Sequence, residues 1–183
     1  MELSSFSPRS EVEVDIRPSW PTDVDALAAL VDRCSDDTLY RRFHGAAAPY
    51  VRREVERVAS GTWLHRSWVA VADGAIRGTA TLAWDRSGET DIAVLVEDTW
   101  FRRGIGRALL DRLMTEASRR GVDVLGATVQ ADNDRAVRFL RGVAPEATVR
   151  FAGGAELDVQ IPVGRLGRVG VPDRRAAHPG EAA

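Results

Sequence analysis

The chain has 183 residues, 25 basic and 27 acidic side chains, a formal net charge of −2, 44% hydrophobic content and 7% aromatic content. At ~150 residues per domain this predicts one domain with apolar surface enough for a core, and it excludes wholesale disorder. Near-neutral charge excludes blanket attraction to nucleic acid or anionic lipid, and the absence of lysine excludes a lysine Schiff base, a lysine nucleophile and a P-loop.

Residues 1–10 read as a flexible N-terminus without the basic leader or apolar stretch of a secretory signal, and the longest apolar runs are too short to span a bilayer. A cytoplasmic protein with no membrane or nucleic-acid partner is expected. A half-buried strand follows at 12–17, where Val12, Val14 and Ile16 alternate with acidic residues. Thr22 or Asp23 then caps a helix carrying Leu27, Leu30, Val31 and Cys34. Cys34 is the one cysteine, which excludes an internal disulfide and a multi-cysteine zinc site, and it reads as buried filler. Helices at 36–43 and 49–59 are separated by Gly45. Strands at 67–72 and 76–84 are joined by Asp73-Gly74, a tight-hairpin signal.

A strand at 91–96 leads to a helix that begins after Arg103 and ends near Gly121. A buried strand at 122–129, a helix from an Asp132 cap through Arg141, and a hairpin of 147–151 with 156–161 across Gly153-Gly154 complete the domain, 11–163. Residues 164–183 read as a flexible tail. The order mixes hairpins with one parallel crossover. This predicts an α/β fold with one mixed, mostly antiparallel sheet of about seven strands flanked by helices.

Chemistry concentrates where the strand at 91–96 passes through Arg102, Arg103, Gly104, Ile105, Gly106 and Arg107 into an amphipathic helix. A helix start offers unpaired N–H groups and the positive end of the macrodipole, so with glycines and arginines it makes a cradle for a phosphate or diphosphate. A dinucleotide fingerprint fails because Leu109 stands at the third glycine position, and a Walker loop fails for want of lysine.

The segment instead resembles the acyl-CoA loop of the GNAT superfamily of N-acetyltransferases, R/Q-x-x-G-x-G/A, and Asn133-x-x-Ala136-x-x-Phe139 is similar to that family's second common stretch. The likeness runs from about residue 12 to 161, nearly the whole domain. Leu39-Tyr40-Arg41-Arg42-Phe43 and the stretch 96–106 look most like the acetyltransferase domain of Pat-type protein lysine acetylases. The resemblance implies a GNAT-like domain with acetyl-CoA as co-substrate and an amine acceptor, and dimerisation is common in the family. It implies that Val94, Leu95 and Val96 offer backbone groups to the pantetheine arm, with an N–H near Leu95 at the oxyanion. The N–H groups from Arg102 to Arg107 would hold the diphosphate, and Asn133 the arm. The base is ranked Asp91, then Glu97, then His44. Phe101 stands where the family has Arg or Gln, Leu140 where many members carry a tyrosine acid, and Ala144-Pro145 where Gly-Phe is usual. Tyr40 is the substitute acid.

The resulting expectation is direct acetyl transfer to a primary amine, first a protein lysine. A small-molecule amine acetyltransferase and a non-catalytic acyl-CoA sensor are the alternatives. No metal site is expected, because no ligand spacing connects His44 and His65.

Overall fold

Asp73 and Gly74 take φ of 49° and 69°, the left-handed pair that a two-residue hairpin turn needs. They join β2 (His65–Ala72) to β3 (Ala75–Trp84) as an antiparallel pair. The computed structural model describes residues 13–45 and 47–164. The readings of 1–10 and 165–183, the start of the domain at 11 and the start of the first strand at 12 lie outside the described residues.

β1 (Asp15–Pro18) lies antiparallel on one side of β2, and β4 (Thr90–Val96) lies antiparallel on the far side of β3. β5 (Val124–Gln130) runs parallel to β4, and β6 (Thr148–Gly153) and β7 (Glu156–Pro162) form the last hairpin. The seven strands order as β1-β2-β3-β4-β5-β7-β6. The predicted mixed, mostly antiparallel sheet is therefore observed, with one parallel pair at its centre.

Each face of the sheet takes its own helices. α1 (Val24–Asp32), α2 (Asp36–Phe43) and α3 (Ala48–Ser60) lie over the first half, where Leu27, Leu30, Val55 and Val58 pack on Val69 and Leu95. α4 (Ile105–Arg119) and α5 (Asp134–Val143) cover the other face, where Leu109, Leu110, Leu113 and Leu140 meet Leu82, Ile92, Leu125 and Val159. Leu109 and Leu113 are fully enclosed, and burying each side chain contributes about 1.5–3 kcal/mol. α4 approaches β3 closely at Gly78, where a Cβ would lie 3.0 Å from the Leu95 carbonyl and 3.1 Å from Ile105.

Two caps differ from the sequence reading. Asp23 precedes α1, but its carboxylate accepts from Arg17 twice at 2.8 Å and from the Trp20 N–H. α5 is capped by Asn133, which accepts from the Ala136 N–H at 3.1 Å, because Asp132 is drawn to Arg41 of α2.

Candidate active site

The two parallel strands touch at one point and then part. Asp91 and Gly126 are the one ladder pair between β4 and β5, backed by the Thr90 hydroxyl, which donates to the Val124 carbonyl at 2.8 Å. A Cβ on Gly126 would come within 2.6 Å of the Thr90 carbonyl, so only glycine lets the strands meet there. Beyond that pinch, β4 from Ile92 to Val96 and β5 from Ala127 to Gln130 share no ladder. A V-shaped gap opens at the carboxyl ends of parallel strands, where α/β sheets place their ligands.

Strand register decides which groups line the gap. The Glu97 N–H donates to the Arg77 carbonyl at 2.9 Å, so residues 91, 93, 95 and 97 of β4 bond to β3. The main-chain groups of Val94 and Val96 consequently face the gap. Those of Leu95 are committed to Thr79, which corrects the expectation that Leu95, with Val94 and Val96, offers backbone groups to the arm. The Leu95 side chain instead packs against α1 and α3.

The loop after β4 winds through a short 3-10 turn, Asp98–Trp100, into α4. Gly104 is its N-cap at φ 84°, Arg102 is also left-handed at 61°, and the first turn holds no acidic residue. The first helical bond runs from the Ala108 N–H to the Gly104 carbonyl, leaving the N–H groups of Ile105, Gly106 and Arg107 without a helical acceptor. Arg102, Arg103 and Arg107 are exposed around them. The two glycines differ in role. A Cβ at Gly104 meets nothing within 4 Å, whereas one at Gly106 meets the Phe139 ring at 3.3 Å. Gly104 thus serves the turn, and Gly106 serves the packing of α4 on α5. Asn133 spends its carbonyl oxygen on the α5 cap, which leaves its amide NH2 as the group able to hold an arm in the gap. Arg135 stacks on Phe101 at 4.3 Å, so α5 delivers a cation to the position where the family motif has its polar side chain. Sequence reasoning missed Arg135, since only tertiary contact joins it to the loop.

Across the gap, α2 is tied down by long-range bonds. Ser35 and Thr38 donate to Asp98, Arg41 pairs with Asp132 at 3.1 Å, and His44 Nδ1 meets Glu156 at 3.0 Å. Asp91 keeps open surface but sits on a crowded floor. Burial pushes its carboxyl above the ordinary range against the pull of Arg42, the Ile92 N–H and His44, while Asp158 pushes the same way as burial. The structure therefore brings Asp91 and His44 to one side of the pinch, together with Arg42 and Asp158. A pocket under α2, lined by Arg42, Glu54, Thr79, Leu95 and apolar residues of α1 and α3, extends from this side.

Glu97 does not belong to that group. Six residues along the strand from Asp91, at ~3.3 Å each, it is about 20 Å away. It is buried, paired with Arg33 at 2.8 Å and Arg77 at 3.0 Å, and accepts from Thr99. Burial raises its carboxyl, but the bonds from Arg33, Thr99 and Arg77 outweigh that and hold it below the ordinary range. It clamps α1 to the sheet and has no lone pair open to a substrate, correcting its second rank as base. Tyr40 is largely exposed, and a Cβ on Gly45 would lie 3.2 Å from its ring. Leu140 is buried in the core. Burial, with Asp98 and Glu97 nearby, pushes the Cys34 thiol up to about 12, so it supplies no thiolate near neutral pH. Among the described residues no side-chain cluster could hold a metal ion, and no helix is long and apolar enough to cross a membrane.

The model described as "Acetyltransferase (GNAT) family" matches residues 31–143. A mycothiol acetyltransferase of Thermobifida fusca (strain YX) is 31% identical over 125 residues, which cover 68% of this chain and 34% of that protein. The chain thus spans about a third of the length of that curated relative. Among solved structures, the GNAT domain of S. lividans PAT superposes with a TM-score of 0.72 at 19% identity, covering 85% of this chain and 99% of that one. The paia N-acetyltransferase from Thermoplasma acidophilum in complex with coenzyme A gives 0.63 at 13% identity, covering 82% and 99%.

Proposed function

The chain belongs to the acetyltransferase (GNAT) family, and from that premise we propose that it is an acetyl-CoA-dependent N-acetyltransferase that acetylates lysine side chains of proteins by direct transfer, with Asp91 as base. The observation that carries this reading is the place of Asp91, an accessible carboxyl on the open side of the β4–β5 pinch with Arg42, His44 and Asp158 around it. A lysine ammonium near pKa 10.4 must lose a proton before it attacks, and a carboxyl lifted above its ordinary range is a better acceptor for that proton.

Acetyl-CoA supplies the acyl group as an activated thioester. The N–H groups opening α4 and the turn at Gly104 suit its diphosphate, and Val94 and Val96 suit its arm as an added strand. The Val94 N–H, turned to the gap by the β3–β4 register, suits the developing oxyanion. With a thiol pKa near ~8.5 the thiolate is a tolerable leaving group, so solvent or the exposed Tyr40 suffices as acid.

A protein acceptor is favoured by the open polar floor beside Asp91, where Thr128, Thr148, Arg150 and Gln160 are exposed on β5, β6 and β7. The pocket under α2 is mostly apolar with one Arg and one Glu, which does not suit a polyamine. A small amine is the second reading, favoured by the identity to mycothiol acetyltransferase. A cytoplasmic location suits this reading, because the reaction needs a supply of acetyl-CoA.

The test is thiol release from acetyl-CoA against lysine-bearing proteins and peptides, spermidine, amino sugars and amino acids. The chain carries no lysine, so every acetyl-lysine detected comes from the acceptor. Release with protein lysines is expected. Release with small amines alone would favour the second reading, and tight CoA binding without release on any amine would leave an acyl-CoA sensor.

A further inference from the structure

Gln130 ends β5 and is 8% exposed, yet among the described residues no protein donor reaches its Oε1. A buried amide oxygen without a donor is costly, and nearly all such groups in folded proteins are satisfied. The position of Gln130 shows what could satisfy it. On β5, Leu125, Ala127 and Val129 pack toward α4 and α5, so Gly126, Thr128 and Gln130 face the α2 side. Gln130 stands directly opposite Glu156, which His44 at the end of α2 holds. Counting four residues along each parallel strand from the Asp91–Gly126 pair brings Leu95 and Gln130 level across the gap. Gln130 therefore flanks the gap at the height of the Val94 N–H, on the face that Asp91 shares.

We infer that Gln130 is an acceptor-binding residue, its Oε1 accepting a hydrogen bond from an N–H of the incoming amine. This rests on reading the gap as the site of acyl transfer. A primary amine brings two N–H groups once it is neutral. One proton is surrendered as the C–N bond forms and the C–S bond breaks, and the other stays in the amide product. Gln130 binds the proton that stays, so the site selects primary over secondary amines. The acyl-CoA arm also carries N–H groups, but Gly104 and Asn133 stand at the α4 and α5 ends of the gap, whereas Gln130 faces α2.

The test uses CoA alone and two conjugates, CoA-S-CH2-CO-NH-butyl and its ester CoA-S-CH2-CO-O-butyl, which lacks the N–H. Their affinities are measured by calorimetry for wild type and Gln130→Leu. Wild type is expected to bind the amide about fivefold tighter than the ester, the size of one net hydrogen bond. Gln130→Leu should bind the two alike, bind CoA as wild type does, and melt no lower, because it removes a buried group that has no protein partner. Gln130→Met keeps the side-chain length and takes its place if the leucine variant does not fold. An amide preference that survives in the variant, or a loss shared equally by CoA, overturns the proposal. Failure of wild type to bind CoA or either conjugate would instead overturn the reading of the gap.

Discussion

The two sides of the β4–β5 gap are built from different materials. The α4 side is main chain: a left-handed Gly104, three helix N–H groups, and strand amides set by the β3–β4 register. The α2 side is side chains brought together from distant segments, with Asp91 from β4, Arg42 from α2 and His44 just after it, Gln130 from β5, and Glu156 and Asp158 from β7. A backbone site tolerates change in the residues around it. A side-chain site changes with each of them, which is where a family can vary its acceptors over one cofactor grip.

That contrast sets the order of expected effects. Asp91→Asn should lower kcat on the selected amine at least ~100-fold, the lower end for loss of a general base, with CoA affinity unchanged. The acid limb of the wild-type rate profile should lie at higher pH than for an ordinary carboxylate near ~3.9, because burial raises Asp91, and it should vanish in the variant. A turnover profile identical in both would remove Asp91 from the chemistry.

Glu97→Gln acts on the frame alone. Breaking its buried pairs with Arg33 and Arg77 should cost about 2–3 kcal/mol, discounted because Arg33 is one-third exposed. The melting temperature should fall by about 5–10 °C while kcat per folded molecule is kept. The linkage signs of the two carboxyls oppose. The lowered value of Glu97 gives stability that is present above the ordinary glutamate value and is lost as pH falls through its folded value. The raised value of Asp91 weakens the fold as pH rises from the ordinary aspartate value through its folded one. Thermal melts of the two variants across acid pH check both signs.

Gly104→Val probes the main-chain side. A β-branched residue at φ 84° carries about 1–3 kcal/mol of strain, so the turn should open and CoA affinity fall about tenfold by calorimetry. The smallest effect is expected at Tyr40→Phe. An exposed phenol and a good leaving group predict less than a threefold fall in kcat. A hundredfold fall would make Tyr40 the acid.

The same contrast explains what was legible in the sequence. Period-two alternation, Asp73-Gly74, and glycines leading into an amphipathic helix are local, so the seven strands and the α4 loop could be read from spacing. Helix caps were less legible, because Asp132 and Asp23 pair with arginines outside the helices they precede. Glu97 and Asp91 share strand parity, so spacing alone leaves both as candidate bases. Two arginines, one thirty-three and one seventy-seven residues into the chain, separate them, and no local pattern announces that clamp. That Leu95 keeps its main-chain groups from the gap is not legible either, because alternation shows which side chains share a face, whereas only pairing with β3 fixes whose main-chain groups face the gap. Gln130 carries no motif at all, and its isolation is visible only in three dimensions.

The most direct test of the account is a crystal structure of the protein with CoA. It should place the diphosphate within hydrogen-bonding reach of the N–H groups of Ile105, Gly106 and Arg107, with the pantetheine arm alongside Val94 and Val96 and the sulfur turned toward Asp91. CoA bound away from the mouth of the gap, or with its diphosphate held by side chains alone, would contradict it.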